Sequence, residues 1–135
     1  MRTKLGMLAA GLGVFCLTAP VAAHHGFDTE YDANKKFTFT GVVQKVEWQN
    51  PHMRVYVDVT DDKGKVTTWN MEMTSPNTVR RQGWGPNDLL QGEKVTFTTF
   101  GGKVIETRGS LVSIKKVSDG RELFVAGGPD ASVPK

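Results

Sequence analysis

Three histidines, His24, His25 and His52, are the residues of this chain whose type and spacing best suit chemistry, and the chemistry is metal binding. If a peptidase cuts after Ala23, His24 becomes the first residue, and its free α-amine and ring nitrogen can chelate one ion together. His25 places a second imidazole beside them. His52, in Asn50-Pro51-His52, can supply a remote nitrogen that completes a T-shaped brace. A nitrogen-rich, tetragonal donor set favours Cu(II), so the pattern predicts copper as the cofactor, with His24, His25 and His52 as metal ligands. A plainer reading stands beside it: a histidine next to a cleavage site can be merely exposed, and His52 after Pro51 can be a turn residue bonded to backbone. Met53, Met71 and Met73 are soft donors suited to Cu(I), although methionine on an apolar strand face more often fills gaps in a core. Asp28, Glu30 and Asp32 could add oxygen ligands or orient a ring nitrogen, and a solvated acidic segment explains them equally well.

Other chemistries find little support. The single cysteine, Cys16, lies in the leader described below, so the mature chain has no disulfide, thiolate metal site or Cys/His nucleophile. Ser75, Ser110, Ser113 and Ser118 lack a Gly-x-Ser-x-Gly context, and none of the standard phosphate-binding glycine loops is present. Asp61 and Asp62 sit in a polar turn. The expectation is a protein that is not an enzyme. Arg2 and Lys4 belong to the leader, so 15 of the 17 basic residues remain against 14 acidic ones, a balance that gives nucleic acid little to bind. Arg54 and Tyr56 share an outward face, but such a pair alone is a thin basis for stacking bases. Arg80-Arg81 reads as a solvated face. Nucleic acid is not an expected partner.

The proposed N-terminal amine depends on export. Met1 to Ala23 has a basic start, an apolar stretch from Leu5 to Leu17 and small residues at Val21 and Ala23, the three-part pattern of a secretory signal peptide. The apolar run falls short of the roughly 20 residues that a membrane span needs. A periplasmic protein with no membrane span after cleavage is therefore expected. Phe15 before Cys16 argues against lipidation at that cysteine.

The remaining elements must position the histidines. With 135 residues, 39% hydrophobic and 23% charged, the chain has room for one small globular domain and does not suit a coiled coil or a multi-span membrane protein. Phe37 and Phe39 share one strand parity and Val42, Val46 and Trp48 the other, which predicts a bulge at Gly41. Met53, Val55, Val57 and Val59 alternate with polar residues. Trp69, Met71 and Met73 do the same. Opposed residues of an antiparallel pair share a face, so a three-residue loop of Asp62, Lys63 and Gly64 sets Val57 against Trp69, Val55 against Met71 and Met53 against Met73. Ser75-Pro76 starts a short helix through Gln82, stopped by Gly83 and Gly85. A strand from Glu93 to Phe100 is broken by Gly101-Gly102, another strand region covers Val104 to Val117 with an interruption near Gly109, and Arg121 to Val125 makes a short edge. This order predicts an all-β, OB-fold-like, five-stranded, partly open barrel with one short helix between strands 3 and 4. The expected division is a signal peptide over 1–23, a mature arm over 24–36, the barrel over 37–125 and a disordered tail over 126–135.

His24-His25-Gly26-Phe27, Phe39-Thr40-Gly41-Val42-Val43, Val46-Glu47-Trp48-Gln49-Asn50-Pro51-His52, Ser75-Pro76-Asn77 and Arg80-Arg81-Gln82-Gly83-Trp84 resemble a family of small exported bacterial proteins of unknown function. The likeness runs from His24 to about Phe124. Its most distinctive segment is Trp-x-Asn-Pro-His. The resemblance implies a periplasmic location and no established activity. Met53-Arg54 departs from the apolar or aromatic pair usual after this histidine. Two readings compete: a periplasmic copper-binding protein using His24, His52 and His25, and a non-metal interaction module. The module would dock a periplasmic protein partner or a cell-envelope glycan through a barrel face around Trp48, Asn50, Tyr56 and Trp84.

Overall fold

The computed structural model describes residues 21–126, with residues 21–25 and 125 described in backbone only. Helix α1 (Val21–Glu30) leads directly into the long strand β1 (Tyr31–Glu47). The hairpin strands β2 (Arg54–Thr60) and β3 (Val66–Glu72) follow, then the short helix α2 (Pro76–Arg81) and the strands β4 (Lys94–Gly102), β5 (Arg108–Lys116) and β6 (Glu122–Val125). The strands form one sheet in the order β3-β2-β1-β4-β5-β6, and an additional β3–β5 pairing closes five of them into a ring. All pairings are antiparallel except that closing one, in which Asn70, Met71 and Glu72 lie beside Arg108, Gly109 and Ser110. This ring, with a helix between its third and fourth strands, is the expected OB-type barrel, carrying a sixth strand on the edge of β5.

The hairpin register is the expected one. Val57 pairs with Trp69 and Val55 with Met71, while Met73 donates its N–H to Met53 O at 2.9 Å. Gly64, at φ +80, supplies the left-handed residue that the three-residue loop requires. The inward residues are fully enclosed: Val55, Val57, Met53 and Met71 have no exposed surface. Burial of each such side chain contributes about 1.5–3 kcal/mol. Helix α2 begins with the Ser75 hydroxyl accepting the Thr78 N–H, has Pro76 in its first turn and buries Pro76 and Val79 against the barrel.

The strands differ from expectation in four places. The parity of β1 runs unbroken through Gly41 to Val43, which is buried, while Val42 faces solvent; the bulge falls between Val43 and Lys45. Gly41 answers a different need. A Cβ there would lie 2.3 Å from Asp58 O, so only glycine lets β1 pass this close to β2. Gly101-Gly102 does not break β4 after Phe100 but forms its last two residues, which pair with Asp32 and Tyr31 at the start of β1. Likewise β5 runs straight through Gly109, whose Cβ would meet Thr99 Oγ1 at 2.3 Å. Strand β1 begins at Tyr31 rather than Phe37, and the residues before it are helical. The tail expected to be disordered lies, beyond Ala126, outside the described residues.

Candidate functional site

Alternation along β3 turns Trp69 and Met71 inward and leaves Asn70 and Glu72 on the outer wall. Glu72 lies opposite Arg54 across the hairpin and beside Ser110 across the closing seam. Its two carboxylate oxygens gather three donors. Oε1 lies 2.7 Å from His52 Nδ1. Oε2 accepts from Arg54 Nη2 at 2.7 Å and from the Tyr31 hydroxyl at 3.0 Å. Arg54 Nη1 in turn donates to Asn70 Oδ1 at 3.0 Å. Glu72 is only 20% exposed at its side chain, whereas the His52 ring is 54% exposed. Tyr31 is buried, and burial, reinforced by the charge of Glu72 and the hydrogen bond to it, pushes its phenol above the ordinary tyrosine range. The row continues around the wall to Glu47, paired with Arg54 in register, which accepts from Tyr56 Oη at 3.2 Å.

The N-terminal segment is seated on the same wall. The Phe27 ring lies 5.4 Å from Tyr31 and 5.6 Å from Phe100, the latter edge-on. Backbone contacts add to the rings: Lys103 N donates to Glu30 O at 2.9 Å, and Lys103 Nζ donates to Asp28 O. Beside this seat an open cleft of about 440 Å³ is lined by Glu30, Tyr31, Val104, Ile105 and Arg108 among others.

Of the residues expected to bind metal, His52 stands on the barrel wall just after the Asn50-Pro51 peptide, which is cis. His24 and His25 belong to the backbone of α1, and their side chains lie outside the description. The bond after Ala23 falls within that helix. Among the described residues no three His, Cys, Asp or Glu side chains gather closely enough to hold an ion. Met53, Met71 and Met73 are core residues, enclosed away from the wall. Asp32 uses its carboxylate locally, accepting the Asn34 N–H at 2.9 Å.

The face proposed for docking also changes character. Trp84 is 2% exposed and packs against Trp48 with ring centroids 5.3 Å apart, so two of the four residues assigned to that face are committed to each other. Arg80 caps the Trp48 ring at 5.7 Å. Neither indole N–H has a hydrogen-bond partner among the described residues.

Two residues of the wall cluster, Glu72 and Tyr31, escaped the sequence reading. Glu72 carried a usable signal, because the register that opposes Val55 and Met71 also opposes Arg54 and Glu72. Tyr31 carried none, since its partner is 41 residues away and reaches it only through closure of the ring.

Fold and site together define a small OB-type β-barrel with a half-exposed histidine held by a carboxylate on its outer wall. The chain belongs to a family of unknown function, DUF6152, whose model matches residues 11–111 and so spans all three histidines. Comparison with curated proteins and with solved structures gave no match.

Proposed function

We propose that this is an exported, periplasmic copper-binding protein in which the α-amine and ring of a processed His24, the ring of His52 and the neighbouring His25 form the donor set. What supports this reading is that Tyr31 and His52 donate to the two oxygens of one carboxylate, at 3.0 Å and 2.7 Å. The start of β1 therefore lies one side chain away from the loop histidine. His24 precedes Tyr31 by seven residues, a segment that spans about 10 Å as helix and at most about 25 Å extended. With Phe27 seated against Tyr31 and Phe100, the reading requires the residues from His24 to Gly26 to carry the freed N-terminus to His52 Nε2. The donor set is nitrogen-rich, as Cu(II) prefers, and the buried methionines leave sulfur out of it.

The test starts with mass spectrometry of the exported protein, which should begin at His24. Cu(II) titration of that material should then show His24→Ala and His52→Ala each weakening binding by more than about tenfold, about 1.4 kcal/mol. Unchanged affinity in both variants overturns the metal reading and leaves an interaction module. A mature start upstream of His24 removes the amine from the donor set.

A further inference from the structure

Carboxylate oxygens only accept hydrogen bonds, so the 2.7 Å contact between Glu72 Oε1 and His52 Nδ1 requires the ring proton on Nδ1. In the neutral ring the lone pair is then on Nε2, the nitrogen free to take a metal. A histidine on a turn would otherwise sample both tautomers and several ring orientations. Glu72 is itself held: Arg54 and Tyr31 occupy its other oxygen, and its backbone is fixed between β2 and β5.

We propose that Glu72 is the positioning residue of the metal site, locking His52 in the Nδ1–H form so that Nε2 is the ligand atom. Through Tyr31 the same carboxylate ties down the segment that carries His24. One acidic side chain thus sets both the donor atom on the barrel and the anchor point of the arm. This inference rests on the copper reading above, and its test separates the two. Metal ligands are ordinarily oriented by such carboxylates, and removing the orienting group costs about 10- to 100-fold in metal affinity.

The first measurement needs no substitution and no metal. Long-range proton–nitrogen NMR of the neutral His52 ring in the full exported protein should show the proton on Nδ1. Glu72→Ala should release the ring to a mixture of tautomers, whereas Glu72→Gln, which keeps an acceptor oxygen, should retain the Nδ1 proton. Cu(II) titration should then show Glu72→Ala weakening binding by about 10- to 100-fold and Glu72→Gln recovering most of that loss. In the His52→Ala background Glu72→Ala should cost less than it does in the wild type, because the part of its effect that runs through the His52 ring is already gone and only the tie to Tyr31 remains. A proton on Nε2 in the wild type, or additive losses in the double variant, overturns the positioning role even if copper binds. An Nδ1 proton together with copper affinity indifferent to both His24→Ala and His52→Ala overturns the metal reading instead.

Discussion

The tryptophan pair beside α2 and the Glu72 cluster on the outer wall treat polar atoms in opposite ways. At the first, two indoles are packed together with N–H groups that find no partner among the described residues, and Trp84 is almost wholly enclosed. The second is partly open to solvent, yet three donors converge on one carboxylate. Burying a polar group without a partner costs stability, and the apolar area of two indoles outweighs it at the tryptophan end. On the wall the hydrogen bonds to Glu72 determine orientation. The lesson is that the large aromatic residues pack the barrel, while a modest acidic residue fixes the orientation of the polar side chains on its wall.

That contrast can be broken by substitution. Trp84→Ala should cost about 3–5 kcal/mol in urea unfolding, the largest effect expected. Tyr31→Phe deletes only the hydroxyl that donates to Glu72 and should cost about 0.5–1.5 kcal/mol in the same assay. Equal losses from the two would abolish the distinction between packing and orientation.

Titration sharpens it further. The raised Tyr31 phenol is favoured in its protonated form by the fold, so its contribution is complete below the unfolded value of about 10 and is lost as pH rises through the folded value. In Tyr56→Phe, the phenolate absorbance of Tyr31 should appear only as the chain unfolds in alkali. Absorbance developing in the folded protein near the ordinary tyrosine range would place Tyr31 outside the cluster. The smallest effect belongs to the loop after Trp84, where the Gly85 N–H and then Arg121 hold the Asp88 carboxyl below its usual range. A depressed carboxyl stabilises above its unfolded value and loses that contribution as pH falls through the folded one. Acid unfolding of Asp88→Asn should therefore be less steep than that of the wild type.

How far the molecule could be read from its sequence follows from the range of the interactions. The β2–β3 hairpin was legible because its register depends on a loop of three residues and on period-two alternation, both local. Ser75-Pro76 and Gly83 marked α2 for the same reason, through a cap, a first-turn proline and a positive-φ stop. The glycines misled where their purpose was close approach rather than chain reversal. At Gly102, the last residue of β4, a Cβ would meet Ile105 O at 2.2 Å, so glycine is needed where the strand end passes close to the following turn. Gly41 imitates a bulge signal for the same reason, since its close approach is to Asp58 O. Of the candidate site, His52 and its loop were legible, since one strand ends at Glu47 and the next begins at Arg54. The carboxylate that grips it was implied by the hairpin register, and the tyrosine on the far side of that carboxylate depends on contacts between chain segments far apart in sequence.

The closing seam is only three residue pairs long, and Glu72 stands in its last pair. It is the shortest joint in the ring and the one where the strands run side by side in the same direction. A barrel that breathes there shifts the carboxylate on which both the loop imidazole and the N-terminal segment depend. Closure of the ring and the orientation of the loop imidazole thus hang on one and the same residue.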